Sequence, residues 1–266
     1  MIKEFFYNLS QVTMEAPGNY GKFHLISFAL MVLVTVLVCL IFKRCSLKTE
    51  RVVVGLFWAL IMVLEIVKQL TLGFVMKDGV IIFDYSWWSF PFQLCSTPLY
   101  TLPFAVFLKK GRMRDAFVAY SALFAIFGGI VVMVYPNDVF TTMTYLNYQT
   151  MIHHSTQIVT GVFLGVRYLR KFTLRFYLGA MEVFAFLSAL ALGMDLVIPD
   201  LIGESFNMFY ISPKYPNHLP ILSTVYASVP YPVFLIAYLV GFGIAAALIF
   251  GVFKLFTPKH PRFCHG

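Results

Sequence analysis

Charge is scarce in this chain. Only 12% of its 266 residues are Asp, Glu, Lys or Arg, against about 25% in ordinary soluble domains. Long polar intervals are missing too, which leaves no room for a separate soluble domain. Cysteine is rare and irregularly spaced: Cys39, Cys45, Cys95 and Cys264 make no CxxC pair, and this argues against a disulfide framework. With no CxxC or HExxH ligand spacing, neither a metal nor a cofactor is expected. No small-residue cleavage site follows the first apolar run, which basic residues close instead, so it should be retained as a helix. No short internal repeat is visible.

What is present is apolar: 60% of residues are hydrophobic and 18% aromatic. Several runs approach or exceed the roughly 18 to 20 residues that cross a hydrocarbon core of ~30 Å. The reading is an all-α polytopic membrane bundle, a single transmembrane domain over residues 1–266. Seven helices are expected near 24–42, 52–74, 88–108, 115–135, 146–166, 176–198 and 231–256, with an outer loop over 199–230. The net charge of +8 sits in short clusters between these runs. Such clusters orient helices and meet anionic headgroups, so the expected partners are membrane lipids and not nucleic acid.

Those clusters also set the topology. Lys43, Arg44, Lys48 and Arg51, then Lys109, Lys110, Arg112 and Arg114, then Arg167, Arg170, Lys171 and Arg175, then Lys254, Lys259 and Arg262 fall on alternate loops and the C-terminal tail. The N terminus is therefore expected outside and the C terminus in the cytoplasm of a multi-pass cell-membrane protein. An odd helix count disfavours a simple inverted-repeat transporter.

Three reactive side chains should share one depth. Cys95 lies about 10 Å inside the Trp87/Trp88 belt, His154 about 12 Å beyond Leu146, and Glu65 about 13 Å before Phe74, at ~1.5 Å rise per residue. A polar group at that depth costs on the order of 2 to 3 kcal/mol unless it faces protein or water, so all three should point inward. A thiol beside an imidazole suits nucleophilic acyl transfer, with Cys95 as nucleophile and a histidine as base. Gln93 or Gln157 could stabilise an oxyanion. His153 and His154 point ~100° apart on a helix, so at most one is expected to serve the site directly. Gln157 and Gln149 give each histidine a same-face neighbour, as Lys68 and Gln69 do for Glu65.

Plainer readings stand beside this one. A lone membrane cysteine is commonly apolar filler, an intramembrane histidine can bond across helices, and Glu65 with Lys68 can be an ion pair holding the bundle. Asp195 is expected at the interface and solvated, and Glu182 as a structural partner. The alternative function is a small-molecule or ion transporter or binding protein, its cavity lined by Glu65, Lys68, Gln69, Gln93 and His154. A third is an assembly factor using the outer loop.

The order of several short pieces carries a resemblance. They are Pro91-Phe92-Gln93-Leu94-Cys95, Phe127-Gly128-Gly129-Ile130 with Pro136, Ile152-His153-His154, Asn207-Met208-Phe209-Tyr210 with Lys214 and Pro216, and Pro230-Tyr231-Pro232. In these the chain resembles the YwaF-like family of bacterial integral membrane proteins and, more remotely, a vertebrate transmembrane cysteine acyltransferase that remodels ether phospholipids. The resemblance implies a seven-helix fold in the bacterial plasma membrane. It also implies a helix 3 nucleophile working with a helix 5 histidine on lipid acyl groups. Those roles fall on Cys95 and on His154, with His153 still open, and the outer-loop residues Asn207 and Tyr210 join the supporting set. The implied activity is a membrane-embedded thiol-dependent lipid acyltransferase or hydrolase acting in the outer leaflet.

Overall fold

The apolar runs become long helices. The computed structural model describes residues 1–136, 139–217 and 219–257. Lys259, Arg262 and Cys264 lie outside the described residues. Helices α2 (Lys22–Phe42), α3 (Leu47–Gly73), α8 (Leu174–Ile202) and α10 (Tyr231–Leu255) are each long and apolar enough to cross a membrane. So is the rod Arg112–Val134, formed by α5 (Arg112–Tyr120) and α6 (Ile126–Val134) joined through a buried π-helical turn, Ser121–Ala125. The chain is a mostly helical transmembrane bundle with these five candidate spans. Leucines, isoleucines and valines of α2 and α10 face outward, as lipid contact requires.

The two remaining expected spans differ from this pattern for separate reasons. α7 (Thr144–Arg167) has the length, but it carries Asn147, Gln149, His153, His154, Thr156, Gln157 and Thr160, all buried. Packed among α2, α3 and α6, it is shielded from lipid and can be polar. The run expected as one helix over 88–108 is broken. It consists of a 3-10 turn at Trp87–Ser89, a second at Leu94–Ser96, and only then α4 (Pro98–Phe107). Pro91 holds its predecessor out of the helical region, and Phe90 has φ −52° and ψ 129°. Pro98 then opens α4 at the position where its missing N–H costs nothing. Inside α4, Pro103 leaves the Leu99 carbonyl without its helical donor, and the Trp58 indole N–H fills that place at 2.9 Å.

Other elements had no apolar-run signal. An amphipathic helix α1 (Ile2–Gln11) buries no residue and lies against α3 and a hairpin of β1 (Phe74–Lys77) and β2 (Val80–Phe83). A short α9 (Leu222–Ser228) precedes α10. Helices approach closely where glycine allows it: a Cβ on Gly129 would stand 2.9 Å from the His154 carbonyl oxygen, and one on Gly161 would stand 2.6 Å from the Ser121 carbonyl oxygen.

At the end bearing the basic loops, two arginines leave the solvent. Glu50 is 1% exposed and accepts from Arg114 Nη2 at 2.6 Å, Arg167 Nε at 2.6 Å and the Tyr168 hydroxyl at 3.0 Å. Arg114 Nε also donates to the Ala105 carbonyl at 2.8 Å. Arg167 Nη1 reaches the carbonyls of Phe42, Lys43 and Cys45 at 3.0 to 3.2 Å. The start of α3 is thereby tied to the ends of α2, α4 and α7 and the start of α5. Counting Arg114 and Arg167 only as loop charges missed this, because their partner lies more than 60 residues away in sequence.

Candidate functional site

Breaking the 88–108 run is what exposes Cys95. Instead of pointing inward from a continuous helix, it sits in the Leu94–Ser96 turn, half-buried. Thr97 anchors the turn, its hydroxyl 2.7 Å from both the Leu94 carbonyl and the Tyr120 hydroxyl. Gly128 has no side chain to occupy the space beside it: a Cβ there would lie 3.7 Å from the Cys95 Cα.

A cavity of about 360 Å³ opens at this turn, and Cys95, Glu65, Lys68, Gln93, His153, His154 and Tyr210 all line it. The shared depth read from the sequence therefore corresponds to a shared cavity. Gln149, expected to serve His153, points Nε2 to Glu65 Oε2 at 3.4 Å. Glu65 pairs with Lys68 at 2.7 Å and accepts from Gln69 Nε2 at 2.6 Å. Gln69 also donates to the Ser89 carbonyl at 2.8 Å, fastening α3 to the turn before Phe90.

The sequence expected at most one of the two histidines to serve the site directly. Both line the cavity, with ring centroids 5.5 Å apart. His153 Nε2 lies 3.0 Å from the Cys95 carbonyl oxygen, and Gln157 Nε2 donates to that same oxygen. A carbonyl can only accept, so His153 carries its proton on Nε2. By the same reasoning His154, whose Nδ1 lies 2.7 Å from the Thr150 carbonyl oxygen, is protonated on Nδ1. Each ring is left with one bare nitrogen, His153 Nδ1 and His154 Nε2, buried and without a partner among the described residues. Gln157 thus shares the target of His153, four residues before it, rather than serving His154.

The loop after α8 closes the site. Gln93 Nε2 donates to the Asn207 carbonyl at 2.8 Å, and its Oε1 is buried without a partner among the described residues. Asn207 does not line the cavity; its Oδ1 takes the Ser212 N–H at 3.0 Å and shapes the loop. Phe209 and Tyr210 hold φ values of 55° and 56°, a strained region for residues with side chains. Neighbouring contacts hold them there. Phe209 stacks on Phe92 at 5.8 Å, and the Met208 N–H donates to Asp195 Oδ1 at 2.6 Å. Asp195 is fully buried, not solvated at the interface as the sequence suggested, because the loop folds back over its end of α8. Glu182 keeps its structural role, pairing with Arg112 at 2.7 Å. Nothing in the local sequence around Asp195 indicated its partner, a backbone amide across a turn. Among the described residues no cluster of three metal-ligating side chains occurs.

Comparison with known families gives a match to the TMEM164 family over residues 19–254. Nothing matches among curated proteins or among solved structures.

Proposed function

The chain belongs to the TMEM164 family, and from that premise we propose that it is a membrane-embedded, thiol-dependent lipid acyltransferase or hydrolase. Cys95 is the nucleophile, His154 the general base, and the outer leaflet the place of action. The observation that carries this is that a half-buried thiol and a histidine with a bare, buried imidazole nitrogen, His154 Nε2, line one cavity. Cys95 Sγ–H gives its proton to His154 Nε2 as sulfur attacks the acyl carbonyl of a lipid ester. The ester C–O bond breaks, and the proton passes from His154 to the leaving alkoxide. A lysolipid hydroxyl, or water, then attacks the thioester and restores the thiol. The N–H groups of Leu94 and Cys95 open a 3-10 turn and so have no acceptor within it, which leaves them free to serve as oxyanion donors.

His153 and Gln157 are positioning residues in this scheme, holding the Cys95 carbonyl. Glu65, Lys68 and Gln69 form the polar wall, and Gln93, Asn207 and Tyr210 fix the covering loop. A cavity of about 360 Å³ takes the ester end of a lipid while the chains stay outside the bundle. The chain is read as one transmembrane domain crossing seven times, N terminus outside, with α7 and the broken 87–107 segment completing the five apolar spans. The YwaF-like resemblance implies the bacterial plasma membrane as its setting.

Intact-mass measurement of purified protein incubated with phospholipid tests the reading. An acyl adduct is expected on the native chain and not on Cys95→Ala; undiminished lipid turnover by Cys95→Ala ends it. The Glu65–Lys68 pair facing the cavity favours one second reading, a carrier or binder of small polar solutes. Uptake or binding lost in Glu65→Gln but kept in Cys95→Ala would select that reading.

A further inference from the structure

The opposite end of the Arg112–Val134 rod carries a second cavity. Gly128 lies beside Cys95, and Arg112 begins the rod ~24 Å away at ~1.5 Å rise per residue. There a cleft of about 620 Å³ is lined by Lys110, Arg112, Arg170, Lys171 and Arg175, with Asp115 as its acidic residue. Asp115 is engaged by Lys171 at 2.6 Å, and Arg112 is engaged by Glu182 at 2.7 Å. Lys110, Arg170 and Arg175 have no acidic partner among the described residues, so the cleft holds three uncompensated cations, from the loop before α5, the turn before α8 and the first turn of α8.

An apolar groove of about 640 Å³ continues from the cleft. The two share Arg112 and Ala116, and the groove runs on over Met113, Phe117, Val183 and Phe186, between α5 and α8, with Glu182, the partner of Arg112, as its one acidic lining residue. Phe186 is 62% exposed and Met113 63% exposed, on faces of candidate membrane spans where lipid is the surrounding medium. A cationic cleft at the end of two membrane helices, opening into an apolar furrow along them, has the two-part shape of a phospholipid. Neither part would select that ligand alone. A free phosphate has no use for the furrow, and a neutral lipid has none for the cations.

We propose that this is a binding site for an anionic glycerophospholipid. Its phosphate sits among Lys110, Arg170 and Arg175, and one acyl chain lies along Met113, Phe117, Val183 and Phe186. The site is separate from the Cys95 cavity and does not depend on the acyl-transfer reading. Because it bridges the starts of α5 and α8, its occupant ties together the segments at those two helix ends that carry the cations. In the seven-span orientation proposed above it faces the cytoplasmic leaflet, where anionic lipids attract basic segments.

Native mass spectrometry of the full chain, titrated with dioleoyl phosphatidylglycerol, dioleoyl phosphatidylcholine and soluble glycerol phosphate, tests the proposal. Phosphatidylglycerol should bind at least roughly tenfold more tightly than either of the others. Combining Lys110→Gln, Arg170→Gln and Arg175→Gln, all at exposed positions, should remove the preference for the anionic lipid. Phe186→Ser should weaken phosphatidylglycerol while leaving glycerol phosphate unchanged. A preference retained in the triple variant overturns the site. Glycerol phosphate binding as tightly as the whole lipid overturns its assignment to a lipid and leaves a phosphate cleft.

Discussion

Replacing Glu50 by alanine should loosen the basic end of the bundle more than any exposed charge change. The carboxylate receives Arg114, Arg167 and the Tyr168 hydroxyl at 2.6 to 3.0 Å and is 1% exposed. All three are bonds to a charged group, roughly 1.5 to 3 kcal/mol each, and two of them are ion pairs as well. Removing Glu50 also leaves the Arg114 side chain, 3% exposed, without a counter-charge. Some of that loss is offset, because Arg114 keeps the Ala105 carbonyl, and Arg167, at 13% exposure, keeps three carbonyls and some water. The net penalty should be about 3 to 5 kcal/mol, the range for breaking a buried pair from one side.

Reversible unfolding of detergent-purified protein, followed by tryptophan fluorescence in a mixed-micelle titration, would measure it. A double-mutant cycle isolates the pair. Adding Arg114→Ala to Glu50→Ala should cost much less than the two single penalties together, with a coupling of at least ~2 kcal/mol. If Glu50→Ala falls within ~1 kcal/mol of the native chain, or the two penalties add, the buried network does not hold the bundle as described. Arg112→Ala, which breaks a pair whose side chains are 64% and 56% exposed, serves as the control and should cost well under ~1 kcal/mol.

The two histidines should separate by role. His154→Asn, which keeps a donor near Thr150 but loses the basic nitrogen, should slow acyl-adduct formation ~10²- to 10⁴-fold, whereas His153→Gln, which keeps a donor for the Cys95 carbonyl, should cost about tenfold or less. The reverse order in stopped-time intact-mass assays would move the base to His153. Asp195→Ala strands the Met208 N–H at a cost of ~1 to 3 kcal/mol and should raise proteolytic cleavage within 203–221, while Asp195→Asn keeps an acceptor and should protect the loop. Equal cleavage of the two variants would remove Asp195 as the loop's anchor.

The sequence determined the medium and the long elements by itself, because a run of apolar residues reports its own burial in lipid without reference to any other part of the chain. That suffices for α2, α3, α8 and α10 and for the Arg112–Val134 rod. It also singled out Glu65, Cys95 and His154 together, and these three line one cavity. Tertiary structure alone decided whatever depends on a partner distant in sequence. The break between Trp87 and Pro98, signalled by Pro91 and Pro98 but masked by the apolar composition around them, turned Cys95 into a turn residue. Carbonyl oxygens of Cys95 and Thr150 decided which nitrogen of each histidine stays bare, and no side-chain spacing encodes where a backbone oxygen will point. Asp195 and Glu50 look alike in sequence, as single carboxylates near helix ends. Only the packed chain gives one a loop amide and the other two guanidinium groups, because burial of a charge is a property of what folds over it.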